Sequence, residues 1–161
     1  MASEIKVDTI VNAGGDNDTG IDLATNDQIL LKVANATKLT MNSTGQTTIV
    51  GEGGTTTTNM QQGLAKSWTH FNGDSFGSRD DFNTSSLTDV STGNYTFAIT
   101  NNMGNRNYTL TTNGTRANDQ HVGCYWYDNL TSQAKMFTMD FTSNSYEDTD
   151  TVMAVIHGDL A

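Results

Sequence analysis

Proline is absent from this chain of 161 residues, cysteine occurs once, and eight lysines and arginines stand against 18 aspartates and glutamates. With Cys124 alone no intrachain disulfide can form, so stability must come from packing or from assembly. The thiol reads first as a small buried apolar group, because no His or Asp partner in a recognisable motif accompanies it. The basic residues are scattered singly through a chain of net charge -10. Nucleic-acid binding relies on a basic patch that displaces counterions from phosphates, and none is visible, so nucleic acid is excluded as an expected partner. The same charge disfavours anionic membrane surfaces, keeps a β-rich chain soluble and opposes edge-to-edge aggregation. Long apolar runs are missing too. No segment is suited to spanning a membrane, and Met1 to Thr9 carries Glu4, Lys6 and Asp8 in place of the apolar core of a signal peptide. The expectation is a protein made in a cytoplasm that works outside a cell only as part of something else.

Lys, Glu and Ala, which favour helix, are also few, whereas Thr, Asn and Ser make up roughly a third of the residues. Thr favours strands, and Asn, Asp and Gly supply tight turns. The composition predicts an all-β fold of short strands, with room in the chain for one ordinary domain and an appendage. Ile5, Val7, Thr9 and Val11 alternate as a first strand. After it, apolar pairs recur at Ile21/Leu23, Ile29/Leu31, Leu39/Met41 and, more weakly, Thr47/Ile49, each followed by a turn-forming stretch. Residues two apart share a strand face, so each rung offers one narrow apolar stripe and no core. Such rungs become stable when strands of other chains, here identical copies, cover the apolar side. Ile21, Leu23, Ile29, Leu31, Leu39, Met41 and Ile49 are therefore the expected self-association residues. Gly51 to Asn59 contains no apolar residue and reads as a linker.

Beyond it the pattern grows denser and more aromatic. Seven strands are expected, at 65–72, 82–90, 94–100, 107–113, 121–128, 135–143 and 151–158, separated by Asn-, Gly- and Ser-rich turns. That spacing is the pattern of an antiparallel β-sandwich, jelly-roll-like, able to bury its own core.

Binding residues are sought on loops and exposed rings. Asn105, Arg106 and Asn107, and then Arg116, Asn118 and Asp119, are the loop candidates for a receptor or glycan. In HVGCYWYDN (121–129), Val122, Cys124 and Trp126 share a face that reads as core, whereas Tyr125 and Tyr127 point the other way and suit a sugar ring or a subunit contact. Trp68 is a further ring of this kind. His70, His121 and His157 are too dispersed for a metal motif, and Asp16 and Asp18 lie in GGDNDTG, which lacks the spacing of a calcium loop. Glu147, Asp148 and Asp150 in YEDTDT read as a solvated acidic loop. No metal and no cofactor is expected. The eight Asn-X-Ser/Thr triplets arise by chance in a chain this rich in Asn and Thr. No carboxylate pair is singled out for glycoside cleavage, and Asp80, Asp81 and Asp140 read as surface or turn residues, so no enzymatic activity is expected.

The opening MASEIKVDTIVNAGG resembles the start of tail-fibre-like proteins of bacteriophages, particularly those of marine bacteria. LTMNSTGQTTIVG (39–51) is similar to shaft repeats of phage fibres, in which a strand, a Ser/Thr-Gly turn and another strand follow in order. AKSWTHFNG (65–73), RDDFNTSSLTDVSTGNYTFAIT (79–100) and VMAVIHGD (152–159) look like a small domain at the ends of such fibres. The resemblance covers nearly the whole chain. It implies a homotrimeric virion fibre with a docking segment at 1–20 that meets other virion proteins, a β-rich trimeric shaft at 21–55, a linker at 56–63 and a β-sandwich knob at 64–161. It further implies adhesion of the knob to a host-surface glycan or outer-membrane component. The chain is short for a complete tail fibre, which keeps open a capsid decoration without a dedicated receptor.

Overall fold

The computed structural model of the chain describes residues 6–12, 14, 18–51, 53–116 and 122–160. Strand makes up 59% and helix 3%, so the protein is all-β, and every strand pairing among the described residues is antiparallel. Two compact units divide it, Met1–Gln61 and Gln62–Ala161.

The first unit is one sheet of six strands in sequence order: β1 (Thr9–Val11), β2 (Gly20–Asp22), β3 (Ile29–Val33), β4 (Ala36–Met41), β5 (Thr47–Val50) and β6 (Thr57–Asn59). Its turns follow from local chemistry. Ala34 and Asn35 both have positive φ, 51° and 58°, giving the two-residue hairpin whose twist matches that of the flanking strands. At the next turn the Asn42 side-chain oxygen accepts from the Thr44 and Gln46 backbone N–H groups at 3.2 and 2.9 Å, and Gly45 takes φ 78°. Of the strand expected from Ile5 to Val11, Thr9–Val11 forms β1, Lys6 to Asp8 are not strand, and Ile5 lies outside the described residues. Thr57–Asn59, inside the stretch read as a linker, pairs with β5 as the sixth strand. Polar composition suggested a linker, but Thr fits a pleated edge, where pairing needs no apolar side chain.

The second unit packs two sheets around one core. β12 (Val122–Asn129), β13 (Gln133–Asp140), β10 (Asn94–Ile99) and β9 (Thr84–Ser91) lie in that order in one, with the short β14 (Ser145–Tyr146) on β13. The other runs β11 (Thr109–Thr115), β15 (Thr151–His157), β7 (Ala65–Asn72) and β8 (Gly77–Phe82). A single helical turn, α1 (Met60–Gly63), precedes β7. Alternation puts Tyr95, Phe97, Ile99, Ala134 and Met136 of the first sheet against Phe71, Leu110, Val152, Ala154 and Ile156 of the second, and all are buried in one cluster.

The strand expected at 82–90 is β9, and Phe82 belongs instead to β8, a strand that was not expected. The chain turns at Asn83, whose φ is 56°, and its side chain bridges the Lys66 carbonyl and the Asn101 backbone N–H, both at 2.8 Å. β8 lacks apolar alternation because it is an edge strand, exposed along most of its length, and so gave no periodic signal. Trp126, read as core, is 51% exposed. It lies opposite the buried Met136, but β12 is an edge strand that bulges directly after it, so the ring sits beyond the cover of the facing sheet. The acidic stretch is also less solvated than its composition suggested: Thr149 is fully buried, and its carbonyl accepts from the Gly73 backbone N–H at 2.8 Å.

Candidate functional site

Two surfaces, one in each unit, carry more apolar area than an isolated unit needs. In the first unit the registers Ile10–Ile21, Ile21–Leu31, Leu31–Leu39 and Leu39–Ile49 place five aliphatic residues in one unbroken row across the sheet. Residues opposite one another share a face, so Ile29 and Met41, themselves paired, form a second row beside it. Leu23, Ile29, Leu31, Val33 and Met41 are exposed, and no described residue of this unit is buried. Six of the seven self-association residues expected from the sequence thus lie on strands of one sheet, with Leu23 directly after β2, and the described residues of this unit form no second layer. Covering such a face returns roughly 25 cal/mol per Å² of apolar area.

The opposite face is mixed, with Val11, Leu30 and Val50 among Thr9, Asp22, Lys32, Thr40 and Thr48. Asp22 pairs with Lys32, and this bond, then the Ala24 backbone N–H, hold the Asp22 carboxyl below its ordinary range. A depressed folded-state value makes the contribution present above the unfolded carboxylate pKa and lost as pH falls.

In the second unit the outer face of β12 and β13 is aromatic. Tyr125 lies opposite Phe137, with ring centroids 5.3 Å apart and planes inclined by 32°. The bulge between Trp126 and Asp128 inserts Tyr127 so that it too leans on Phe137, at 5.7 Å and 43°. Tyr146 stands edge-on to Phe137 at 5.3 Å and 73°, and Phe141 edge-on to Tyr125 at 6.0 Å and 85°. Three inclined rings form a shallow floor and two upright rings its walls. Gly123 makes room for it, since a Cβ there would lie 2.4 Å from Phe141 and 2.7 Å from Tyr125.

The loop candidates reach this face through ion pairs. Arg106 donates from Nε to the Asn129 carbonyl, and its guanidinium pairs with Asp128 at 3.0 Å, while Lys135 pairs with the same carboxylate at 3.2 Å. Asn105 accepts from the Asn107 backbone N–H at 2.7 Å, which shapes that loop. Arg116 pairs with Glu147, the neighbour of Tyr146. Asn118, Asp119 and His121 lie outside the described residues. Trp68 is not part of the face: it stands on the other sheet, opposite Phe82 and Val155. Phe137, Phe141 and Tyr146 were not foreseen as partners of Tyr125 and Tyr127. Aromatics two apart at 125/127 and four apart at 137/141, spacings that share a strand face, were the available signal.

Other groups are structural. Asp148 accepts from the buried Tyr95 hydroxyl at 2.8 Å and from the Gly93 backbone N–H at 2.7 Å; burial, then this carboxylate, push the Tyr95 hydroxyl far above its ordinary value. Burial pushes the Cys124 thiol up to about 11, which leaves almost no nucleophilic thiolate at neutral pH. Desolvation, then a hydrogen bond with Asp150, raise the Asp74 carboxyl. A raised folded-state value favours folding below the unfolded pKa and loses that contribution as pH rises through the folded one. Asp74→Asn is therefore expected to raise the Tm at pH 7 and leave it unchanged at pH 3, measured by calorimetry.

Among the described residues no group of three or more His, Cys, Asp or Glu is arranged to hold a metal ion, and no helix is long and apolar enough to cross a membrane. No protein-family model, curated protein or solved structure matches the chain.

Proposed function

We propose that the chain is a structural fibre protein of a bacteriophage particle, homotrimeric, assembled through the first unit and adhering to the host surface through the second. The observation that carries this reading is the unbroken aliphatic row from Ile10 to Ile49 on a sheet over which the described residues of the unit lay no second layer. A six-stranded sheet of polar turns and one aliphatic face has no reason to exist alone in water, and identical copies offer the same face to one another. The resemblance of residues 39–51 to fibre shaft repeats supplies the trimeric order and the virion setting. A self-sufficient sandwich bearing an exposed aromatic face supplies an adhesive element, since rigid rings lose little freedom on binding.

Sedimentation equilibrium of the full chain tests the assembly, with an expected mass three times 17.4 kDa that persists at micromolar concentration. A stable monomer with β1 to β6 intact in hydrogen exchange overturns it. Binding of the labelled chain to a panel of marine bacteria tests adhesion. A folded trimer that binds none of them favours capsid decoration without a receptor.

A further inference from the structure

We infer that the aromatic face of β12 and β13 binds an uncharged pyranose of a surface polysaccharide, with Tyr125 and Tyr127 stacking on the sugar ring. This rests on the adhesive role proposed above and names its site and ligand chemistry. Tyr125, Tyr127, Phe141 and Tyr146 are 40 to 54% exposed, and their rings lean on one another about Phe137. A pyranose presents an apolar face of C–H groups and an equatorial rim of hydroxyls. The inclined floor of Tyr125, Phe137 and Tyr127 accepts the first. The two tyrosine hydroxyls and the Asn94 side-chain oxygen, beside Phe137 on β10, can bond the second, the Asn94 amide nitrogen being held by Ser91 and Thr92.

Charge decides which sugars qualify. The second unit carries five Lys and Arg against 11 Asp and Glu, and the cations near the rings are committed, Arg106 and Lys135 to Asp128 and Arg116 to Glu147. A uronate or sulfated sugar is opposed by the net negative charge of the unit as a whole, whereas a neutral hexose is not.

Size decides against a second chain as the occupant. Four rings about half exposed offer roughly 400 Å², half of the ~800 Å² that each partner buries in a stable protein complex. That area matches one or two sugar residues. Backbone pairing in β12 and β13 and the contacts among the rings hold the floor in shape before a ligand arrives, so little ordering is left for binding to oppose.

The test uses the full chain on immobilised dextran, mannan and agarose galactan as neutral probes and alginate as the anionic one, by surface plasmon resonance. Binding to at least one neutral probe and not to alginate is expected. Tyr125→Ala and Tyr127→Ala should each weaken it about tenfold, while Tyr127→Phe, which keeps the ring, should weaken it by no more than about threefold. Preference for alginate, silence on all three neutral probes, or Ala variants that bind like the parent overturn the inference. So does a change of sedimentation mass in Tyr127→Ala, which would make the face a contact between chains. Cell binding that survives both Ala substitutions overturns the aromatic face and leaves the adhesive role standing. A folded parent that binds no cells removes the adhesive role itself.

Discussion

Replacing Leu31 and Leu39 together by Asp is expected to convert the proposed trimer to monomer while the second unit stays folded. The two residues are directly opposite each other at the centre of the aliphatic row, with Ile21 and Ile49 on either side. Each becomes a carboxylate that assembly would strip of water, and an unpaired buried charge costs several kcal/mol even after relaxation. The loss repeats in every chain, so the association constant should fall by many orders of magnitude. Thr40→Asp, on the other face of β4, is the control and should leave the mass unchanged. Sedimentation reports the mass, and near-ultraviolet circular dichroism, dominated by the aromatic second unit, reports whether that unit persists. If the double variant keeps the parent mass, the aliphatic face is not the interface.

The second large effect belongs to the sandwich core. Phe71→Ala removes a fully buried ring that meets Tyr95 edge-on at 5.0 Å and Phe76 at 6.2 Å and lies opposite Val152. Emptying such a site costs about 3 to 5 kcal/mol, a large part of what holds a domain of this size together. The melting temperature of the second unit should fall by at least about 12 °C in calorimetry. Trp126→Ala removes a larger ring, yet should change stability by no more than about 1 kcal/mol, because the indole is half in water. Equal losses for the two variants would contradict the exposed position of Trp126. The pair thus separates two residues that alternation alone would both turn inward.

Much of this architecture was legible in the residues. The pairs Ile21/Leu23, Ile29/Leu31 and Leu39/Met41 announced a period of two broken by turn residues, but Leu31 and Leu39 become neighbours on one face only through a register shift of one residue between Leu31 and Lys32, beyond the positive-φ turn at Ala34 and Asn35. The strand expected at 65–72 is Ala65–Asn72, bounded by what alternation and turn chemistry specify locally. What escaped was what alternation does not encode. The bulge after Trp126 is one extra residue in one strand, and the sequence around it alternates as smoothly as an unbulged strand would. Edge strands such as β8 carry polar residues by necessity and look like loops. In the site, Tyr125 and Tyr127 could be read as outward-facing, but their common neighbour Phe137 is set by pairing between strands. Arg106 looked like a free loop cation, and only the fold brings Asp128 to it.

The position of β15 bears on how the second unit comes into being during synthesis. This strand lies between β7 and β11 and hydrogen-bonds to both, from Thr151 to His157. Until it has been translated, the sheet lacks an interior strand, and the pairing edges of β7 and β11 face solvent with Phe71 and Leu110 uncovered. At roughly 5 to 20 residues per second, the stretch between β7 and β15 takes on the order of ten seconds to appear. Throughout that interval the nascent chain presents open edges, against which its acidic charge is the protection already in place. Chains released before Thr151 would keep those edges permanently, and aggregation, not a smaller soluble domain, is the physical fate of such fragments.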